Sequence, residues 1–280
     1  ELGDFAAAVR HQHKALDLLP QRRSTKSTLE VRAKLKLYQE ERPYHRQSLS
    51  VKEIVACWAF DQVEGRRVLD SSGNNLHAEL VGDARIVSDP QRGNVLSLDG
   101  NGDLVNCGNN VKFHITGAMT VSAWVRADTL DKECQAIVTK GDTSWRLQRS
   151  GALDAIAFHC TGAASASPNT GGGVSHWGVD GIDNVNDGKW HHAVAVYDTH
   201  RMYLYIDGGL DQTRDAPEYI CTNDFPVLIG ENAEMPGRHW NGLIDDVRIY
   251  NYALNLEEIQ NVFKSKEQLT QNELIAPLQP

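Results

Sequence analysis

The chain has 280 residues, of which 41% are hydrophobic and 7% aromatic, and its formal net charge at pH 7 is −9. No apolar run approaches the ~20 residues that a membrane-spanning helix requires, so the sequence predicts no membrane span. Residues 1–50 carry ten Lys/Arg against six Asp/Glu, which leaves residues 51–280 with a net charge of −13. Such an acidic region argues against contact with a nucleic-acid backbone and is compatible with calcium binding.

Residues 1–47 show apolar patterns of helical period. Phe5, Val9 and Leu16 recur at near-helical spacing before a proline, and a second pattern over 29–37 precedes another proline. The stretches ELGDFAAAV and KALDLLP resemble the second helix of a tetratricopeptide repeat. A single unit leaves its apolar face uncovered, and stable arrays need about three repeats. The resemblance therefore implies the end of a repeat array, with earlier repeats upstream of this chain and a capping helix after it. An ordinary helical hairpin is the alternative.

From about residue 51 the apolar pattern changes to a period of two, which is typical of β-strands. The stretch 188–207 is the strongest example, because it predicts a hairpin followed by an Asp-Gly-Gly turn. Its first arm carries apolar residues on both faces, one formed by Ala193, Ala195 and Tyr197 and the other by His192, Val194 and Val196. A sheet of this kind is covered on both faces, as in a β-sandwich.

Short strands recur as far as residue 250, separated by turns rich in Gly, Asp and Asn, which is the pattern of an antiparallel sandwich. Residues 256–263 have helical spacing, with Asn255 predicted as the N-cap and acidic residues in the first turn. The predicted organisation is a helical segment over 1–47, a sandwich domain over 51–264 and a mobile tail over 265–280.

Six motifs resemble the laminin-G-like, concanavalin A-type jelly-roll family, in particular its pentraxin-like branch. They occur in order at residues 58–61, 70–74, 98–100, 120–125, 190–192 and 240–251. The resemblance implies a mainly β protein, a two-sheet antiparallel jelly-roll sandwich of concanavalin A-like type with a short N-terminal α-helical segment. It implies little about function, because this scaffold carries many activities.

The resemblance also implies a structural calcium ion near the first and last strands, which lie close together in this family. Calcium binds six to eight oxygens, mostly carboxylates and carbonyls on turns. Carried over residue by residue, the implied ligands are Asp61, Asp70, Asn74 and Asp245. Strict alternation predicts that Asp245 faces inward with Leu243 and Val247, where a carboxylate needs a cation or hydrogen bonds. The alternative is that these residues cap turns without a metal.

Polar and aromatic residues between 145 and 240 form a candidate ligand site. Sugars stack on flat aromatic rings and accept or donate oriented hydrogen bonds with Arg, Asn and Glu side chains. The candidates are Trp145, Arg146, Gln148, His159, Trp177, Glu231, Asn232, Arg238 and Trp240. For the three tryptophans of this set, the alternative is a place in the core.

The sequence shows no clear catalytic motif. Glycoside hydrolases on this type of scaffold carry carboxylates at alternating positions of one strand, and this chain has no such run. It also lacks a nucleophile elbow and a phosphate-binding glycine loop. His191 and His192 are adjacent, so they face opposite ways on a strand and cannot share a zinc ion. A polysaccharide lyase or hydrolase stays open as an alternative.

The sequence thus predicts a non-catalytic module that binds a glycan, with calcium as cofactor. A protein-interaction or scaffolding module is the alternative, and nucleic acid is not an expected partner. Repeat-like helices favour the inside of the cell and laminin-G-like sandwiches the outside, so the compartment stays open, with an extracellular or cell-envelope location favoured. Of the five cysteines, Cys160 and Cys221 are the pair that we consider for a bridge in an exported protein.

Overall fold

The structure is a computed structural model that describes residues 51–163 and 174–264. The predicted helical segment at 1–47 and the predicted tail at 265–280 lie outside these ranges. The strands, in chain order, are β1 (Ile54–Trp58), β2 (Val63–Glu64), β3 (Arg67–Val68), β4 (Ala78–Val81), β5 (Arg85–Asp89), β6 (Gly93–Asp99), β7 (Leu104–Asn106), β8 (Met119–Ala127), β9 (Ala136–Thr139), β10 (Trp145–Arg149), β11 (Ile156–Ala163), β12 (Val174–Asp180), β13 (His191–Tyr197), β14 (Arg201–Ile206), β15 (Gly209–Asp215), β16 (Tyr219–Ile220), β17 (Leu228–Ile229) and β18 (Asn241–Tyr250). A 3₁₀ turn covers Val111–Phe113, and the helix α1 covers 256–264. Neither described range contains a helix with the length and apolar character of a membrane span.

Two antiparallel sheets form a sandwich, which confirms the predicted fold class. The first sheet has eight strands in the order β15-β14-β13-β8-β18-β6-β5, with β1 paired to β18. The second sheet has ten strands in the order β12-β11-β10-β9-β17-β7-β4-β3-β2, with β16 paired to β11. Apolar residues from both sheets, such as Trp58 and Val247 of the first and Trp145 and Phe158 of the second, belong to one buried cluster.

The first and last strands of the sandwich lie side by side, as the sequence predicts. β1 pairs antiparallel with β18, and Trp58 is opposite Val247. The indole ring of Trp58 is fully buried, and its Nε1 donates a hydrogen bond to the carbonyl oxygen of Leu76 at 2.9 Å. This pairing closes the domain, since it ties the first strand after residue 51 to the last one.

The predicted alternation of β13 is also confirmed. Ala193, Ala195 and Tyr197 belong to the central core, while Val194 and Val196 belong to a second apolar cluster on the opposite face of the same sheet. β13 lies between β8 and β14, and this central position explains why both of its faces are covered.

In β18 the predicted alternation is wrong. The pairing with β8 shifts its register between Asp245 and Arg248, and Asp246 has a φ of 47°, which is the geometry of a β-bulge. The extra residue places both Ile244 and Val247 in the core. Asp245 therefore faces outward from the sandwich, and not inward with Val247.

Helix α1 covers part of this outer face of the first sheet. Its N-cap is Asn255, as predicted: Oδ1 of Asn255 accepts a hydrogen bond from the backbone N–H of Glu258 at 2.9 Å. Leu254 and Ile259 are buried in the second apolar cluster, and the ring of Phe263 stacks on Trp124 with centroids 5.4 Å apart.

All five cysteines of the chain lie in the described ranges, and none of them forms a disulfide there. The side chain of Cys160 belongs to the core, where its Sγ lies 3.8 Å from Sδ of Met202. Burial raises the pKa of the Cys160 thiol to about 12, so this thiol is an unreactive core residue.

Candidate ligand-binding site

Several of the predicted site residues come together on the outer face of the second sheet. In β10, Trp145 and Leu147 point into the core, so alternation places Arg146 and Gln148 on the opposite face. The neighbouring position on β11 is His159, which pairs with Arg146. Cross-strand partners share a face, so this polar patch follows directly from the register.

Asp142, which was not among the residues predicted from the sequence, is the centre of the patch. Its Oδ1 accepts hydrogen bonds from Nδ2 of Asn232 and from Nη1 of Arg238, both at 2.7 Å. Nε of Arg146 lies 3.5 Å from the same oxygen, which is an ion-pair contact without a hydrogen bond. We call these four residues the Asp142 cluster. Two residues of one loop, 90 and 96 positions further along the chain, thus donate hydrogen bonds to this carboxylate, and the sequence alone contains no signal that pairs them with Asp142.

Arg146 also connects the Asp142 cluster to a His–Asp pair. Its Nη2 lies 3.5 Å from Nδ1 of His159, and Nε2 of His159 lies 2.9 Å from Oδ1 of Asp180. Burial lowers the pKa of His159 more than the hydrogen bond to Asp180 raises it, so the ring is neutral at pH 7. The neutral ring then donates from Nε2 to Asp180 and presents Nδ1 to Arg146. A side chain at Gly178 would clash with this ring.

Glu231 shapes the loop that carries Arg238. Its two carboxylate oxygens accept hydrogen bonds from the backbone N–H groups of Asn232, Gly237 and Arg238 at 2.7–3.0 Å. One of them also lies 2.8 Å from Nδ1 of His239. Because Glu231 is only 4% exposed, we assign it to positioning Arg238 and not to direct contact with a ligand.

A rim with exposed apolar side chains lies beside the Asp142 cluster. Oε2 of Glu234 accepts hydrogen bonds from the N–H and the hydroxyl of Thr143, and Nδ2 of Asn223 donates to the same hydroxyl at 2.9 Å. Phe225 and Met235, close to these residues in sequence, are 36% and 46% exposed. The sequence does not predict this rim, because its residues belong to irregular loops without a periodic pattern.

A buried lysine holds one loop of the rim in place. Nζ of Lys140 donates hydrogen bonds to Oδ1 of Asn109 at 2.7 Å and to the carbonyl oxygen of Phe225 at 2.9 Å. It donates a third to the carbonyl oxygen of Asn223. Burial lowers the pKa of Lys140 to about 8. Phe225 is therefore presented on an anchored backbone.

For two of the tryptophans, the prediction that the ring stacks on a ligand is wrong. Trp145 and Trp240 are fully buried and belong to the central core, so neither ring is accessible to a ligand. Trp177 is partly buried and packs against the same core. Gln148 is on the predicted face but only 1% exposed, and its Oε1 has no hydrogen-bond partner among the described residues.

The four predicted calcium ligands do not form one ligand shell. The carboxylate of Asp70 accepts hydrogen bonds from the backbone N–H groups of Cys57, Ser72 and Leu76, which is the turn-capping alternative. Nδ2 of Asn74 donates to two carbonyls of β1. Oδ2 of Asp245 accepts from Nε of Arg92 at 2.8 Å, while Asp61 is exposed.

In the described part of the chain, one group of three acidic side chains has oxygens close enough to share a cation: Asp83, Asp99 and Asp103. The carboxylate of Asp103 accepts hydrogen bonds from the N–H groups of Asp83 and Asp99. Burial and the contact with Asp83 raise the pKa of Asp103.

The sequence matches the profile of a laminin G-type family, described as the Concanavalin A-like lectin/glucanases superfamily, over residues 99–260. No curated protein shows a significant match to the chain.

Several solved structures share the fold. The binding domain of Paraclostridial Mosquitocidal Protein 1 superposes with a TM-score of 0.58 at 17% identity, covering 76% of this chain and 52% of that one. Domain 4 of AbnA, a GH43 extracellular arabinanase from Geobacillus stearothermophilus in complex with arabinotriose, gives 0.56 at 18% identity, covering 75% and 98%. The binding domain of Botulinum Neurotoxin DC in complex with SialylT gives 0.56 at 15% identity, covering 78% and 52%. The match spans about half of the two toxin binding domains.

Proposed function

The chain belongs to the Concanavalin A-like lectin/glucanases superfamily, and from this premise we propose that it is a non-catalytic glycan-binding module whose ligand contacts the Asp142 cluster. The observation that carries the proposal is the convergence of Arg146, Asn232 and Arg238 on one carboxylate. Asp142 and Arg238 keep side-chain exposures of 18% and 19%, so a ligand can reach both.

The chemistry of this patch suits a sugar. Arg238 uses one guanidinium nitrogen for Asp142, and its other N–H groups can donate to hydroxyl oxygens. Phe225 supplies an exposed aromatic ring on which the apolar face of a sugar can stack. Among the relatives in fold, the AbnA domain was solved with arabinotriose, which supports the same ligand class for this chain.

The hydrogen bonds of the acidic side chains support binding over hydrolysis. A glycoside hydrolase needs one carboxylic acid that is protonated and one free carboxylate. Asp142 and Glu231 are each held by several hydrogen-bond donors, so their carboxylate oxygens are already engaged by the protein itself. We therefore assign Asp142 and Glu231 to holding Arg238 and its loop in position, and we assign no acid catalyst.

The test is a glycan array followed by titration calorimetry on the hits, with arabinotriose included as a probe. We expect Arg238→Ala and Phe225→Ala each to weaken binding at least tenfold. Arg201→Ala, an exposed arginine on the first sheet, is the matched control and should leave the Kd unchanged. Reducing-sugar release should stay at background. Absence of any glycan hit, together with a protein partner lost in Phe225→Ala, would favour the protein-interaction alternative.

Calcium is a separate part of the proposal. The residues whose donor atoms suit it are Asp83, Asp99 and Asp103, because all three offer the hard oxygens that calcium prefers. The measurement is the thermal midpoint with calcium and with EDTA, together with elemental analysis. Equal midpoints and no bound metal would remove calcium and leave the glycan site unaffected.

A further inference from the structure

A polar pocket lies on the second sheet, outside the Asp142 cluster. It has a volume of about 650 Å³ and is lined by residues of β2, β3, β4 and β7 and of the turns beside them. This volume is within the range of small-molecule sites in proteins, roughly 300–1,000 Å³.

Four of the lining residues form one cross-strand row. Glu64 pairs with Arg67, Arg67 with Glu79, and Glu79 with Asn106, so all four side chains share a face of the sheet. The residues that alternate with them, Val68, Ala78, Leu80 and Val105, belong to the core. The register therefore directs this polar row outward, and strand spacing gives it a length of about 14 Å.

The polar groups of this row have unused hydrogen-bonding capacity. The side chains of Glu64, Arg67 and Glu79 form no hydrogen bond or ion pair with any described residue. Asn106 uses its Oδ1 to accept from the N–H of Gly108, which leaves its Nδ2 as a donor.

His77 and Arg66 also line the pocket. Nδ1 of His77 accepts a hydrogen bond from the backbone N–H of Asp70 at 3.0 Å, so the neutral ring carries its proton on Nε2 and offers a donor there. Arg66 is held by the carbonyl oxygens of Leu80 and Gly82, both at 2.8 Å. It therefore contributes charge from a fixed position.

The charges of the pocket balance. Glu64 and Glu79 oppose Arg66 and Arg67, so the wall favours neither a polyanion nor a polycation. Donors and acceptors alternate along the row, and an uncharged polyol offers both kinds of group at each hydroxyl.

We propose that this pocket is a second saccharide subsite that takes a neutral sugar unit. The inference deepens the proposed glycan-binding function and rests on it. The row continues across the sheet from Asn106 through Leu228 and Thr139 to Arg146, so both sites lie on one face, about 14 Å apart. One polymer that engages both sites would bind more tightly than a short sugar, because the second contact is intramolecular.

The test is amide chemical-shift mapping of the full chain with arabinotriose, xylotriose and cellotriose. The amides of Arg67 and Asn106 report on the pocket, and those of Thr143 and Arg238 report on the Asp142 cluster. We expect at least one trisaccharide to shift both sets. Arg67→Ala and Glu79→Gln should each raise the Kd at the pocket at least tenfold and leave the other site unchanged, with an unchanged thermal midpoint as the check on folding.

The possible failures are distinguishable. Shifts at Thr143 and Arg238 alone, at saturation, would overturn the pocket and leave the proposed function intact. No shift at either site with any of the three sugars would overturn both. Trigalacturonic acid is the charged control, and stronger binding of this anion at the pocket would overturn the inference of a neutral ligand.

Discussion

Arg92 supplies the positive charge that the buried carboxylate of Asp245 requires. Nε of Arg92 donates to Oδ2 of Asp245 at 2.8 Å, and the two side chains are 5% and 0% exposed. The guanidinium also lies over the ring of Trp124, 3.9 Å from its centroid. The sequence indicated that Asp245 needs a cation or hydrogen bonds, and the guanidinium of Arg92 supplies both.

Removing this carboxylate charge should destabilise the protein. Asp245→Asn leaves the buried Arg92 without its counter-charge, and breaking one partner of a buried pair costs about 3–5 kcal/mol. Urea unfolding should show a loss of this size, equal in calcium and in EDTA. The double variant Arg92→Met/Asp245→Leu should recover much of the loss, because both charges are gone. A loss that appears only in calcium, and not in EDTA, would mean that a metal, and not Arg92, balances Asp245.

The sandwich was predictable wherever strict alternation holds. In β13 each apolar side chain has the orientation that a period of two gives it, because central strands are buried on both faces. In β18 the same rule fails at Asp245, since the bulge at Asp246 adds one residue. No residue type in that stretch marks a bulge, so the sequence does not predict it.

The site was predictable only in part. Neighbouring residues on a strand face opposite ways, so Trp145 and Arg146 cannot both contact one ligand. The sequence alone was enough to exclude one of them from the predicted site. Asn232, Arg238 and Arg146 do meet at Asp142, and His159 joins them through Arg146. Asp142 is 90 or more positions from Asn232 and Arg238. Contacts of such long range depend on loop conformations that a single sequence does not encode locally.

Trp240 should affect stability and not ligand binding. Its side chain is fully buried in the core, and truncation of a buried Trp to Ala costs about 3–5 kcal/mol. We expect Trp240→Phe to lower the free energy of unfolding by less than this and to leave the glycan Kd unchanged below the melting transition. Weaker binding at unchanged stability would contradict the place of Trp240 in the core.

His191 should make stability depend on pH. Its Nδ1 lies 2.9 Å from Asp207 and its Nε2 lies 3.0 Å from Asp187, and the hydrogen bond to Asp207, followed by that to Asp187, raises the pKa of His191 above its ordinary 6.5. The protonated ring is therefore the stabilising form. Its contribution is complete below the ordinary pKa and is lost as the pH rises through the raised one.

The measurement for His191 is the thermal midpoint of the wild type and of His191→Gln at about pH 5.5 and about pH 8.5. The difference between the two proteins should be larger at the lower pH. His200→Gln, at an exposed histidine, is the control for the loss of an imidazole elsewhere on the surface. A difference that grows with pH would have the wrong sign and would contradict the assignment.

The N-cap of α1 should stabilise the helix by a reciprocal pair of hydrogen bonds. Oδ1 of Asn255 accepts from the N–H of Glu258 at 2.9 Å, and Oε2 of Glu258 accepts from the N–H of Asn255 at 2.7 Å, which is the capping-box arrangement. Asn255→Ala removes one of these bonds and should cost about 1 kcal/mol. Because Ile259 anchors the helix in the second apolar cluster, the first turn should open locally, and amide hydrogen exchange at Glu258 should become faster. Asn255→Asp keeps a side-chain acceptor and should behave like the wild type. No loss of stability in Asn255→Ala would show that the cap contributes nothing, and that the packing of Ile259 and its neighbours alone holds α1 in place.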